Sequence, residues 1–210
     1  MENVQDDKTR RRHLRITAPS PWLMRFTHLI APAGRVLDLA TGGGRNARHL
    51  LGLGHPVTLV DKDTSSLTDL SDDKAVEIYK VDLEDGKDVF SPGGVLAGRT
   101  FQAIVVINYL HRPLMGALLS ALAPGGVLIY ETFARGNEAF VRPRNPDHLL
   151  KSGELLDWVS GKLQVVSYEH GIIRAADIEG VKQRLCAIKD LSPSTRDDNE
   201  PQAHPVSQSV

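Results

Sequence analysis

Short unbroken apolar runs alternate along this chain with stretches in which apolar residues recur every three or four positions. The runs are Arg35 to Ala40 (RVLDLA), Pro56 to Val60 (PVTLV), Ala75 to Val81, Phe101 to Ile107 (FQAIVVI) and Val127 to Thr132. Trp22, Phe26, Leu29 and Ile30 share one helical face, with Ser20-Pro21 as its cap and first turn, and Pro32 and Gly34 ending it. Ala47, Leu50, Leu51 and Gly54 form a second such face, and Leu114, Leu118, Ala121 and Leu122 a third. A short helix over Ser65 to Leu70, a helix from about Ser152 to Ser160 and two last strands, Leu163 to Tyr168 and Gln183 to Ile188, complete the series. Residues 84 to 99 are turn-rich and predict no regular element.

Strands buried on both faces read as continuous apolar runs, and helices between them put crossovers on both sides of one sheet. The pattern therefore predicts a doubly wound α/β fold: a mostly parallel, seven-stranded sheet with helices on both faces and an antiparallel last strand. It spans residues 16–191. Residues 1–15, with Lys8, Arg10, Arg11, Arg12 and Arg15, read as a flexible basic lead-in, and 192–210, rich in Pro, Ser, Asp and Asn, as a disordered tail.

Charge narrows the partners. Lys and Arg number 25 against 26 Asp and Glu, so no strong field for nucleic acid or an anionic membrane is expected. The single cysteine, Cys186, lies in an apolar run and excludes an intrachain disulfide. The eight histidines are scattered, with no metal-ligand spacing, so no metal is expected. No apolar run approaches the ~20 residues of a membrane span. The expected compartment is the cytoplasm.

In such sheets ligands bind beyond the carboxyl ends of the strands. The first strand ends in Asp38-Leu39-Ala40-Thr41-Gly42-Gly43-Gly44, a turn whose backbone N–H groups can approach a ligand without interference from a Cβ. Gly42, Gly44 and Ala47 also satisfy the dinucleotide pattern G-x-G-x-x-A. Asp38 discriminates: a carboxylate before the turn opposes a pyrophosphate and suits an ammonium, as in the amino-acid end of S-adenosylmethionine. Asp61, closing the second strand, can accept both ribose hydroxyls of either kind of nucleotide. Asp82 closes the third and can accept from an adenine amine, with Leu83 against the ring. An acidic turn is the plain alternative there.

These residues resemble the class I S-adenosylmethionine-dependent methyltransferases over roughly residues 20 to 190. Val36 to Gly44 is similar to that family's D-x-G-x-G-x-G turn, with Ala40 in place of the first glycine, and Leu122-Ala123-Pro124-Gly125-Gly126-Val127-Leu128 to its L-x-P-G-G-x-L turn. Asn108 to Pro113 and Ile129 to Phe133 are similar to a bacterial group loosely related to tellurite-resistance methyltransferases. The resemblance implies a methyltransferase with S-adenosylmethionine held by Asp38, Ala40, Gly42, Gly44, Asp61, Asp82, Leu83 and Asn108. The family's nucleobase-amine branch carries N-P-P-[YF] after the fourth strand; this chain keeps only Asn108, followed by Tyr109.

Around the acceptor, Tyr109 and His111 are the candidate catalytic groups, His111 as a base with an ordinary pKa of about 6.5. Arg112, Glu131, Arg142 and Arg144 are the candidate substrate-binding residues. The long segment from Ala134 to Lys151 reads as a lid whose arginines favour an anion. A small-molecule acceptor is the first expectation. The alternatives are an RNA substrate brought by the basic arm, a cofactor-binding subunit without turnover, and a dinucleotide oxidoreductase in which Asp38 is structural.

Overall fold

Ser20 opens the first helix as the pattern predicts. Its hydroxyl accepts from the Trp22 N–H at 3.2 Å, and Pro21 takes the first turn, where a missing N–H costs nothing. The computed structural model describes residues 16–175, 178–192 and 199–206, so the basic cluster from Lys8 to Arg15 lies outside the described residues. Four α-helices are described: α1 (Pro21–Phe26), α2 (Arg45–Gly52), α3 (Met115–Ala121) and α4 (Glu154–Val159). The strands are β1 (Val36–Leu39), β2 (Val57–Asp61), β3 (Val76–Lys80), β4 (Phe101–Ile107), β5 (Leu122–Phe133), β6 (Gln164–Ala175) and β7 (Ile178–Ile188).

They form one seven-stranded sheet in the order β3-β2-β1-β4-β5-β7-β6. The pairings among β1 to β5 are parallel; β7 runs antiparallel to both β5 and β6, as predicted for the last strand. Alternate residues feed two cores. Val36, Val57, Leu59, Ala103, Val105, Val127 and Ile129 pack under α1 and α2 with Trp22, Phe26 and Leu50. Leu37, Leu39, Ile104, Val106, Leu128 and Tyr130 pack under α3 and α4 with Leu118, Leu155 and Val159. Helices therefore cover both faces, and the strand order reverses between β1 and β4.

Three segments differ in detail from the pattern's reading. Ser65–Leu70 is a 3₁₀ helix. Residues 81–100 hold no helix or strand: Asp82, Asp85 and Asp88 each turn the chain by accepting from the N–H two residues on, while Leu83, Val89 and Leu96 reach the core. β6 and β7 outrun the predicted strands because the far part of their hairpin pairs only with itself. Only Lys182 to Ile188 meets β5, so residues such as Ile172, 49 % exposed, have no core to fill.

Of the C-terminal stretch, Gln164 Nε2 donates to Gln202 O at 3.0 Å, and Pro205 O lies 3.3 Å from His28 Nε2. Residues 193–198 and 207–210 of the expected tail lie outside the described residues. No helix among the described residues is long and apolar enough to cross a membrane.

Candidate active site at the carboxyl ends of the strands

β1 leads through the glycine turn into α2. Gly44 caps the helix with φ 73°, and a Cβ there would lie 2.6 Å from Leu67 Cδ2, so glycine is strongly favoured. Gly42 also has positive φ, but a Cβ on it would meet nothing within 4 Å; its backbone borders open space. Its N–H donates to Asp61 Oδ2 at 2.7 Å, and Asp63 N–H donates to the other carboxylate oxygen at 2.9 Å. Each oxygen keeps a lone pair for a further donor. Arg48 braces the turn from behind, donating to Gly43 O and Ser66 O and gripping Asp69 with both arms of its fork.

Asp38 lies on the α1–α2 side of β1 and is 1 % exposed. Thr41 donates its hydroxyl to Asp38 Oδ2 at 2.8 Å. Burial pushes the carboxyl up to about 7, against the lowering pull of Thr41 and Arg45. The carboxylate expected from the sequence is thus close to half protonated at neutral pH until a cation reaches it. Ala40 holds φ 55°, the left-handed region, where a Cβ costs roughly 1–2 kcal/mol. Ala40 thus occupies a backbone conformation that favours glycine.

Asp82 is exposed at the end of β3, while Leu83 is only 6 % exposed and joins the core. After β4 the chain turns sharply at Asn108, which also has left-handed φ (60°) and whose N–H donates to Glu131 O at 2.7 Å. Beyond it opens a cavity of about 540 Å³ lined by Asn108, Tyr109, Thr132, Phe133, Glu84 and the loop residues Arg142, Arg144 and His148 among others. The Tyr109 hydroxyl is buried, and burial together with the nearby Glu84 carboxylate holds it protonated.

A buried ionic network lies behind Asn108, outside the cavity lining. Glu131 is 3 % exposed; its carboxylate takes Lys182 Nζ at 2.5 Å, the Ser20 hydroxyl at 3.1 Å and Arg184 Nε at 3.3 Å. Burial opposes ionisation of Glu131, but Lys182 and Arg184 outweigh it and hold its pKa below the ordinary value. Lys182, 5 % exposed, also donates to Asn108 Oδ1 at 2.7 Å.

The structure brings Asn108, Tyr109, Arg142 and Arg144 to one cavity, and Asp38, Ala40, Gly42, Gly44 and Asp61 to one turn. It does not bring Glu131 or Arg112 into the cavity lining, because both charges are already committed. Arg112 grips Glu154 with Nε and Nη2 (2.6 and 3.0 Å) and donates to Asp147 O and Leu149 O, fastening the 134–151 segment to α4. His111 caps nothing and is absent from the lining; the imidazole there belongs to His148. Sequence reasoning also missed Lys182, Ser20 and Arg45, which lie in polar company only after folding.

The family model described as tellurite resistance protein TehB matches residues 6–87, the part that carries the glycine turn, Asp61 and Asp82. No curated protein matches the sequence. TehB of Haemophilus influenzae is 18 % identical over 78 % of this chain and 60 % of its own, with TM-score 0.61. The N-methyltransferase NodS of Bradyrhizobium japonicum WM9 is 15 % identical over 77 % and 92 %, with TM-score 0.56. The 1,6-didemethyltoxoflavin-N1-methyltransferase of Burkholderia thailandensis, solved with its namesake ligand and S-adenosylhomocysteine, is 17 % identical over 90 % and 81 %, with TM-score 0.56. This chain thus spans only three fifths of the Haemophilus protein. It has the class I S-adenosylmethionine-dependent methyltransferase fold, and residues 6–87 carry the likeness to the tellurite-resistance type.

The residues present fit that cofactor. Gly42 leaves open space beside the turn, Asp61 retains lone pairs, and Asp38 offers a buried carboxyl that makes no ion pair with a side chain among the described residues.

Proposed function

We propose that this chain is a methyltransferase that binds S-adenosylmethionine at the β1–α2 turn and methylates a small, anionic molecule in the adjoining cavity. When bound, the cofactor supplies an electrophilic methyl for in-line displacement. The supporting observation is the adjacency of two sites at the strand ends: the turn closed by Gly42 and Asp61, and the 540 Å³ cavity beginning at Asn108.

On this reading Asp38 receives the ammonium of the amino-acid end, Asp61 the ribose hydroxyls, and Asp82 the adenine amine. The cavity is the size of a small-molecule site. Arg142 and Arg144 supply donors and positive charge to its wall. His148, exposed on the same wall, is the group placed to take a proton from an acceptor that carries one. Alignment of acceptor and methyl is the main contribution asked of the protein.

Calorimetric titration with S-adenosylmethionine and with NAD tests the cofactor: the first binds and the second does not. Incubating the protein with methyl-labelled cofactor and fractionated cell extract then tests the acceptor. Label is expected in a small, anionic product. Binding of NAD alone overturns the reading; cofactor binding with no label transferred replaces it with a non-catalytic subunit.

A further inference from the structure

The acceptor side of the proposed site contains a feature that bears on substrate class, and its meaning rests on the methyltransferase reading. Lys182 and Asn108 lie 74 positions apart and meet because β7 docks beside β5. An ammonium carries three donors and no acceptor. The end of the Asn108 amide that faces Lys182 at 2.7 Å is therefore its oxygen. The other end, Nδ2, donates to no group among the described residues, and Asn108 lines the cavity.

Nothing in this arrangement is loose. The Asn108 backbone is fixed in the left-handed region with its N–H on Glu131 O. Lys182 is buried against Glu131 and over the Phe133 ring, 4.9 Å from its centroid, and Glu131 is held in turn by Ser20 and Arg184. Turning the amide over would set its NH₂ against a buried ammonium and strand a donor on each side, which costs more than one ordinary hydrogen bond contributes.

We infer that Lys182 is a specificity-determining positioning residue: by holding Asn108 Oδ1 it makes this wall of the cavity a hydrogen-bond donor, selecting acceptors that present an oxygen lone pair there. Carboxylates, phenolates and other oxyanions meet that demand. A nucleobase amine or an ammonium does not, because it needs an acceptor at the same point. Arg142 and Arg144, which can only donate, make the same demand from the loop that lines the cavity.

Benzoate and benzylamine are suitable probes, with the Asn108 side-chain amide followed by ¹⁵N NMR and assigned by its loss in Asn108→Ala. Saturable movement of the Asn108 NH₂ signals with benzoate, and none with benzylamine, is the expected result. Lys182→Met should abolish that movement and weaken benzoate about tenfold, while Lys182→Arg restores both. Absence of an Asn108 response in wild type up to tens of millimolar benzoate overturns the inference without any variant, as does an undiminished response in Lys182→Met. S-adenosylhomocysteine binding is measured on the same samples. If it is retained while Asn108 stays silent, only this inference falls; if wild type fails to bind it, the reading of the whole site falls as well.

Discussion

The Gly42 N–H donates to Asp61 Oδ2 across 2.7 Å, so the carboxylate that ends β2 also closes the turn that ends β1. Removing it opens the turn and deletes the proposed acceptor for a ribose. Asp61→Ala should weaken S-adenosylhomocysteine binding by about ten- to a hundredfold in calorimetry, the range for hydrogen bonds to a charged group. Asp61→Asn, which keeps an acceptor oxygen, should lose less.

Asp38 gives the protein a specific pH dependence. Its native pKa is raised from 3.8 to about 7 by burial, so across that window the folded chain holds a proton that the unfolded chain has released. Stability from this group is therefore complete below the unfolded value and falls as pH rises towards 7. Urea denaturation should show this decline in wild type and a flatter profile in Asp38→Asn. Cofactor binding, which needs the ionised form, should strengthen about tenfold from pH 6 to pH 8 and lose that dependence in Asp38→Asn.

Ala40 sits at φ 55° where glycine is favoured. Ala40→Gly relieves the Cβ but frees the unfolded chain, for a net gain of about 0.5–1 kcal/mol. Chemical denaturation measures it directly. An unchanged midpoint would mean that the turn accommodates the methyl group without strain.

The clamp between Arg112 and Glu154 makes the 134–151 segment a built wall. Glu154→Gln should leave the sheet intact and raise hydrogen exchange locally, at His148, Leu149 and Leu150, by about tenfold or more. Protection in β1 and β4 should not change.

Arg142 and Arg144 are exposed and line the cavity. Reversing both to Glu should raise the KM for the proposed anionic acceptor by about tenfold or more while leaving S-adenosylhomocysteine affinity alone. An unchanged KM would remove these arginines from substrate binding.

The parts of the site legible in the sequence are those built by neighbours in the chain. Asp38 through Gly44 is one strand-turn-helix unit, and Asp61 ends the next strand, so strand ends and turn chemistry located both. What escaped is held by distant partners. Arg112 looked free and is spent on Glu154, 42 positions away. Glu131 looked like a group facing ligand and is the centre of a buried network. His111 follows β4 closely, yet the chain turns into a 3₁₀ helix there and His148 arrives in the cavity from the segment after β5. Lys182 lies one residue before the predicted last strand, Gln183 to Ile188, and nothing in its neighbours along the chain pointed to a partner after β4.

The position of β7 also has a temporal consequence. It is the last strand in chain order, yet it lies inside the sheet, between β5 and β6. During synthesis β5 must wait with one bare, apolar border for a neighbour not yet made, and such borders recruit other chains. The residues of the β1–α2 turn have all left the ribosome long before then. The residues proposed to hold the cofactor thus emerge well ahead of the lysine proposed to set which way the Asn108 amide faces.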